Sequence, residues 1–133
     1  MNTFEYPIKS GIDIEEVKRI RSLYKKWGDI FLKRVFTDNE INYCLGKSSA
    51  MQHFTGRFAA KEAVIKILKN KYSPRLKSIE VINEKSGQPI IILHDDAQAI
   101  VEKSGIKSIN ISISHTRNFA VAMAIAQLNL EVR

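Results

Sequence analysis

The run Gly56-Arg57-Phe58-Ala59-Ala60-Lys61-Glu62-Ala63-Val64-Ile65-Lys66 constrains this chain more than any other stretch, because it is strongly helix-forming yet its charges suit no simple surface helix. At 100° per residue, Arg57 and Lys61 share a stripe with Val64 and Leu68, Glu62, Lys66 and Lys69 share another, and alanine and isoleucine fill the remainder. Such a helix is enclosed. Charges on an enclosed helix need partners, since an unpaired buried charge is strongly unfavourable. Some of those partners can lie outside the chain.

One ordinary core is what 133 residues with 44% apolar content can build, so the reading is a single domain over residues 1–133. Cys44 is the only cysteine, which excludes an internal disulfide framework and a cysteine-rich zinc site and fits a reducing compartment. Met1 to Pro7 lacks the basic segment and apolar run of a secretory signal. No apolar stretch approaches the roughly 20 residues that span a bilayer. A cytoplasmic protein without a membrane partner is expected. The net charge of +7 favours an acidic partner, and on charge alone nucleic acid, a phosphorylated small molecule, an anionic membrane and an acidic protein all stay open.

Tyr6 to Ile12 reads as a short strand feeding a helix from Ile14 to about Lys26, with Asp13 and Glu16 spaced as a capping box. On that helix Ile14, Val17, Ile20, Leu23 and Tyr24 form the apolar stripe, leaving Lys18, Arg19, Arg21, Lys25 and Lys26 on an almost purely cationic face. A solvated face explains such a run, and an unmixed one also suits docking of an acidic helix. Trp27 and Gly28 close the helix, and Phe31, Leu32, Val35 and Phe36 form a second apolar cluster. Thr37 with Glu40 is another capping box, opening a short helix that Gly46 ends. The central helix runs from about Gln52 to Lys69, and a basic turn with Pro74 follows. Ile79–Ile82 and Pro89–Leu93 read as hairpin strands, and a short helix covers Asp95–Lys103. Ser108 to Ser114 alternates strictly, as a strand with one buried face does, and Phe119 to Ala126 is apolar on both faces, as a central strand is. The sum is an α+β fold, an antiparallel sheet packed on a long central helix.

Asp13 and Glu62 stand apart from the solvated acids, one at a strand-to-helix junction and one inside the enclosed helix. Mg²⁺ is typically held by one or two carboxylates together with water and phosphate oxygens. Arg57, Lys61 and Lys66, on the helix of Glu62, are natural phosphate partners, and the whole set describes phosphoryl transfer or pyrophosphate cleavage. The same spacing also fits a plain i,i+4 pair of Glu62 with Lys66 and a plain cap at Asp13. His115 follows an alternating strand, where it can bind phosphate, transfer a proton or only make the turn. His53 and His94 have no partners at zinc-ligand spacing. Aromatic residues make up 8% of the chain and are not interleaved with the basic ones, which counts against a single-strand nucleic-acid platform.

Gly11-Ile12-Asp13-Ile14, Phe31 to Thr37, Gly56 to Ala63, Ile79-Glu80-Val81 with Ser86-Gly87-Gln88-Pro89, and Ser112 to Thr116 together resemble the holo-acyl-carrier-protein synthases, the small trimeric 4′-phosphopantetheinyl transferases. Order and spacing agree from about Ile8 to Ala126. The resemblance implies the 4′-phosphopantetheinyl transferase fold and a Mg²⁺-dependent transfer of 4′-phosphopantetheine from coenzyme A to a serine of apo-acyl-carrier protein, in support of fatty acid synthesis. It implies Asp13 and Glu62 as metal ligands and, with Lys66, as the catalytic set. Arg57, Lys61 and Lys66 would hold phosphates, Gly87 and Pro89 would shape the adenine pocket, and His115 would lie at the nucleotide end. A homotrimer with active sites between subunits is implied, as is docking of the carrier protein on the basic first helix through Arg19, Lys18 and Lys26. The chain departs from the family's pattern at Lys9-Ser10, where glycine is usual, and in its short connection over residues 70–77. Two other functional classes are a basic module that binds nucleic acid or phosphorylated ligands and a trimeric scaffold without turnover. The latter has no need of both carboxylates.

Overall fold

The computed structural model describes residues 7–129. In chain order it runs β1 (Ile8–Glu16), α1 (Val17–Trp27), α2 (Asp29–Val35), α3 (Asp38–Leu45), α4 (Ala50–Leu68), a 3₁₀ turn (Leu76–Ser78), β2 (Ile79–Asn83), β3 (Pro89–Leu93), α5 (Asp95–Ser104), β4 (Ile106–His115) and β5 (Phe119–Leu128). The strands form an antiparallel three-stranded sheet in the order β1-β5-β4 and a separate β2-β3 hairpin. The fold is α+β, and β5 is the central strand, as its two apolar faces predict.

Helix α4 is the axis of this arrangement. Phe54 to Lys61 are all buried, and Ala59, Ala60, Ala63 and Val64 are fully enclosed, so the expectation of an enclosed helix holds. One apolar cluster joins the C-terminal half of α4 to the inward residues of both sheets, including Ala122, Ala124 and Ala126 of β5 and Ile79 and Val81 of β2. A second joins Phe54 and Phe58 of α4 to Ile20, Phe31, Leu32, Val35, Phe36 and Cys44 of the first three helices. Small residues on both partners let the sheet and α4 approach closely. The tightest point is Gly11, where a Cβ would stand 2.1 Å from the Ala63 carbonyl oxygen.

The start of the chain differs from expectation. β1 continues through Asp13 to Glu16, in register with β5 from Ile8 opposite Gln127 to Glu16 opposite Phe119. Asp13 is therefore a strand residue, and the Asp13–Glu16 capping box does not form. The first helical N–H, that of Val17, instead donates to the Asn118 carbonyl at 2.9 Å, so the β4-β5 turn caps α1. Ile14, expected on the helical stripe, projects from the outer face of β1 and is exposed. Tyr6, at the expected start of the strand, lies outside the described residues. The Thr37–Glu40 box, by contrast, is present with both of its hydrogen bonds. No helix among the described residues is long and apolar enough to cross a membrane.

Candidate active site

Residues i and i+2 of a strand share a face, so Gly11, Asp13 and Glu15 all turn toward α4 while Ile12 and Ile14 turn away. The contact at Gly11 draws β1 onto α4 and brings Asp13 against Lys66, whose ammonium donates to the Ile12 carbonyl at 2.6 Å and to Asp13 Oδ1 at 3.5 Å. Asp13 Oδ2 is enclosed and has no hydrogen-bond partner among the described residues. Glu62 lies within the field of Asp13. Burial and the Asp13 charge push its carboxyl above the ordinary range, against the pull of Lys66, Arg19 and Lys69. Glu15, the next residue on this face, is pushed up to about 7 by burial and by the close approach of the Asp13 carboxylate, while Arg19 pulls it back. Arg19 reaches Glu15 at 2.8 Å and lies over the Phe58 ring.

Even beside Lys66 and Arg19, the Glu15 and Glu62 carboxyls crowded against Asp13 stay raised, and one Asp13 oxygen stays orphaned. A divalent cation fits it. Asp13 and Glu62 are the residues that could hold such an ion, since Mg²⁺ commonly takes one or two protein carboxylates; no group of three or more metal-ligating side chains occurs among the described residues.

A second group of residues gathers at the other edge of the sheet. The Arg57 guanidinium is buried on α4, stacks over the Tyr43 ring at 4.3 Å and donates through Nη2 to Asn83 Oδ1 at 2.6 Å. Its Nε has no hydrogen-bond partner among the described residues. Lys47 approaches the same ring at 4.7 Å. His53 bridges Tyr43 and His115, with ring centroids 5.8 and 5.7 Å away. Burial and the charges of Arg57, His115 and Lys47 hold the His53 pKa below its usual value. Asn83 Nδ2 donates to the Gly87 carbonyl at 2.9 Å, which links Arg57 to the hairpin tip, where Gly87 has a φ of 91° that glycine adopts without strain. Pro89 opens β3 opposite Asn83. Cations and aromatic rings on one surface suit a phosphorylated nucleotide.

The sequence-predicted residues therefore fall into two sets. Asp13, Glu62 and Lys66 come together on β1 and α4, whereas Arg57, Gly87, Pro89 and His115 gather around the hairpin and the β4-β5 turn. Lys61 belongs to neither. Its ammonium is fully enclosed, 2.7 Å from Glu40 Oε1, and also donates to the carbonyls of Leu76 and Ile79, so its three N–H groups are spent inside the protein. Burial draws its pKa down against the pull of Glu40. The expectation that Lys61 holds phosphate is corrected on this ground.

Glu15, Tyr43, Lys47, His53 and Asn83 were not singled out by sequence. A signal for Glu15 was present: the alternation Ile12-Asp13-Ile14-Glu15 marks a strand, and a strand puts Glu15 on the face of Asp13. Tyr43, His53 and Asn83 carry no such signal, since only the packing of α3, α4 and the hairpin brings them together.

The chain belongs to the 4′-phosphopantetheinyl transferase superfamily, whose family model matches residues 9–124. The chain is 43% identical over 118 residues to holo-[acyl-carrier-protein] synthase of Halothermothrix orenii, covering 88% of this chain and 94% of the relative. Its fold matches the crystal structure of the Helicobacter pylori synthase in complex with coenzyme A, with a TM-score of 0.75 and 30% identity over 90% of this chain and all of that one (100%). The Neisseria meningitidis synthase superposes with a TM-score of 0.81 at 27% identity, covering 89% of this chain and 96% of that chain.

Proposed function

We propose that this chain transfers 4′-phosphopantetheine from coenzyme A to a serine of an apo-acyl-carrier protein, releasing adenosine 3′,5′-bisphosphate, and that Mg²⁺ assists. The reading is carried by the half-buried carboxylates Asp13 and Glu62 beside Lys66, with an unpartnered oxygen on Asp13 and a raised pKa on Glu62. It draws further support from the synthases in the same family, one of them solved with coenzyme A.

In the reaction the serine hydroxyl oxygen forms a bond to the pantetheine-side phosphorus of the pyrophosphate. The bond from that phosphorus to the bridging oxygen breaks, and the bridging oxygen leaves with adenosine 3′,5′-bisphosphate. The serine proton passes toward the carboxylate pair. Lys66, half-exposed beside Asp13, offsets charge on the transferred phosphoryl group. When bound, Mg²⁺ supplies Lewis-acid polarisation of the pyrophosphate oxygens. Arg57, His53 and His115 face the nucleotide phosphates, and Gly87 with Pro89 borders the base.

The carrier protein docks on α1 in this reading. An apolar groove of about 360 Å³ lies between α1, α2 and α4, lined by Arg19, Leu23, Trp27, Ile30, Phe31, Arg34 and Phe58. Trp27 and Ile30 are 50% and 65% exposed, and cations flank the groove. Lys18, Arg19 and Lys26 line the adjoining depression. An acidic amphipathic helix complements both.

The working form is a homotrimer. Two observations support this. The outer face of the main sheet exposes Ile8, Ile12, Ile14, Phe119, Met123 and Ile125, an apolar surface unusual for a monomer. The carboxylate group lies on edge strand β1 and His115 on the opposite edge strand β4, so adjacent copies can complete one another's sites.

Chromatographic detection of adenosine 3′,5′-bisphosphate tests the reaction. Release is expected only when coenzyme A, apo-carrier and Mg²⁺ are all present. Release without carrier would make the protein a coenzyme A hydrolase instead.

A further inference from the structure

Strand β2 pairs with β3 along one edge only, and its other edge meets α3 and α4 instead of a strand. Unpaired backbone groups on a buried edge are strongly unfavourable, so something must satisfy them. Two side chains do so here. The Val81 N–H donates to Glu40 Oε2 at 2.7 Å, and the Ile79 carbonyl accepts from Lys61. Glu40 Oε1 in turn accepts from Lys61 at 2.7 Å and from the Thr37 N–H at 2.9 Å. Both side chains are 0% exposed. A buried ion pair thus occupies the place of a missing strand, presenting an acceptor to residue 81 and a donor to residue 79.

The placement of this pair gives it a consequence beyond stability. Arg57 and Lys61 are one turn apart on α4, and residues 79 and 81 lead directly to Asn83, the partner of Arg57. Asn83 holds the Gly87 carbonyl at the hairpin tip. The height at which Lys61 and Glu40 fix β2 on α4 therefore sets where Asn83, Gly87 and Pro89 stand relative to Arg57. We infer that Lys61 and Glu40 are positioning residues, which hold the hairpin in register on α4 and so shape the nucleotide pocket without touching its ligand. This rests on the coenzyme A reading above. It gives Lys61 a role in place of the phosphate contact that its burial excludes.

The test is steady-state kinetics of the full chain carrying Lys61→Met with Glu40→Gln. The double variant leaves no isolated buried charge and keeps an acceptor for the Val81 N–H. The coenzyme A KM is expected to rise about tenfold, with the carrier-protein KM and kcat changed less than about twofold. In an Asn83→Ala background the double substitution should add little further to the coenzyme A KM, because the coupling runs through Asn83. An unchanged coenzyme A KM in a folded double variant, or full additivity with Asn83→Ala, would overturn the inference. If the core variant does not fold, Asn83→Ala alone decides, since an unchanged coenzyme A KM there removes the link between hairpin and pocket. Wild-type protein that consumes no coenzyme A would instead contradict the transferase reading itself.

Discussion

Three carboxylates crowd the face of α4 that meets β1, and their mutual repulsion is the strongest residue-scale sign of function. Asp13→Asn or Glu62→Gln should lower Mg²⁺-dependent transfer by about 10²- to 10³-fold, as loss of a group that stabilises the transition state does. Neither should lower the melting temperature without metal, because each removes a repulsion. Calorimetric melts with and without Mg²⁺ check this: the metal should raise the wild-type transition and leave the variants unmoved. An equal upward shift in all three would place the cation elsewhere. Glu80 works in the opposite sense. Burial alone would raise its pKa, but hydrogen bonds from Thr37, His94 and Asn39 outweigh burial and hold it below the ordinary carboxylate range. A folded-state pKa below the unfolded one contributes stability that is present above the unfolded value, about 4.3, and lost as pH falls through the folded value. Acid titration of wild type should therefore show a loss of stability below about pH 4.3 that Glu80→Gln reduces.

At the scale of elements, the contact of β1 with α4 decides whether the site exists. A Cβ at residue 11 would meet the Ala63 carbonyl, a backbone atom that cannot swing aside. Gly11→Ala should destabilise the fold by about 1–3 kcal/mol, and by moving β1 off α4 it should raise the Mg²⁺ concentration for half-maximal activity. Denaturant melts and a metal titration read the two effects separately. The same elements show what a linear chain discloses. Regular periodicity made α4, the β2-β3 hairpin, β4 and β5 legible, and the Thr37 capping box was readable from its spacing. The extent of β1 was not, because Asp13 and Glu16 imitate a helix start and only pairing with β5 overrides that local preference. The role of Lys61 was hidden for a related reason. Its charge pointed to phosphate, and only the tertiary approach of Glu40 and β2 shows those contacts already filled.

For the whole molecule, the exposed apolar sheet face and the placement of Asp13 and His115 on opposite edge strands both favour the proposed trimer. In the proposed trimer, Ile125→Lys, at an exposed position on β5, should give a folded monomer by sedimentation while transfer falls sharply, because the proposed site is shared between neighbouring copies. A monomeric wild type with full activity would contradict the shared site. Arg19→Glu should raise the carrier-protein KM, because Arg19 borders the groove beside α1 proposed to dock the carrier. An unchanged carrier KM would move the docking surface. The proposed trimer has no periodic signal in the sequence. Ile14 read as part of a helix's apolar stripe, and only the packing of α4 against the polar and small side of β1 reveals which face of that strand is left exposed.

The most direct measurement is the intact mass of an apo-acyl-carrier protein after incubation with the purified protein, coenzyme A and Mg²⁺, beside a sample containing chelator. The carrier should gain one phosphopantetheine, a gain that the chelator prevents and that Asp13→Asn slows by about 10²- to 10³-fold. No gain with several different carriers, or a gain that chelator leaves untouched, would contradict it.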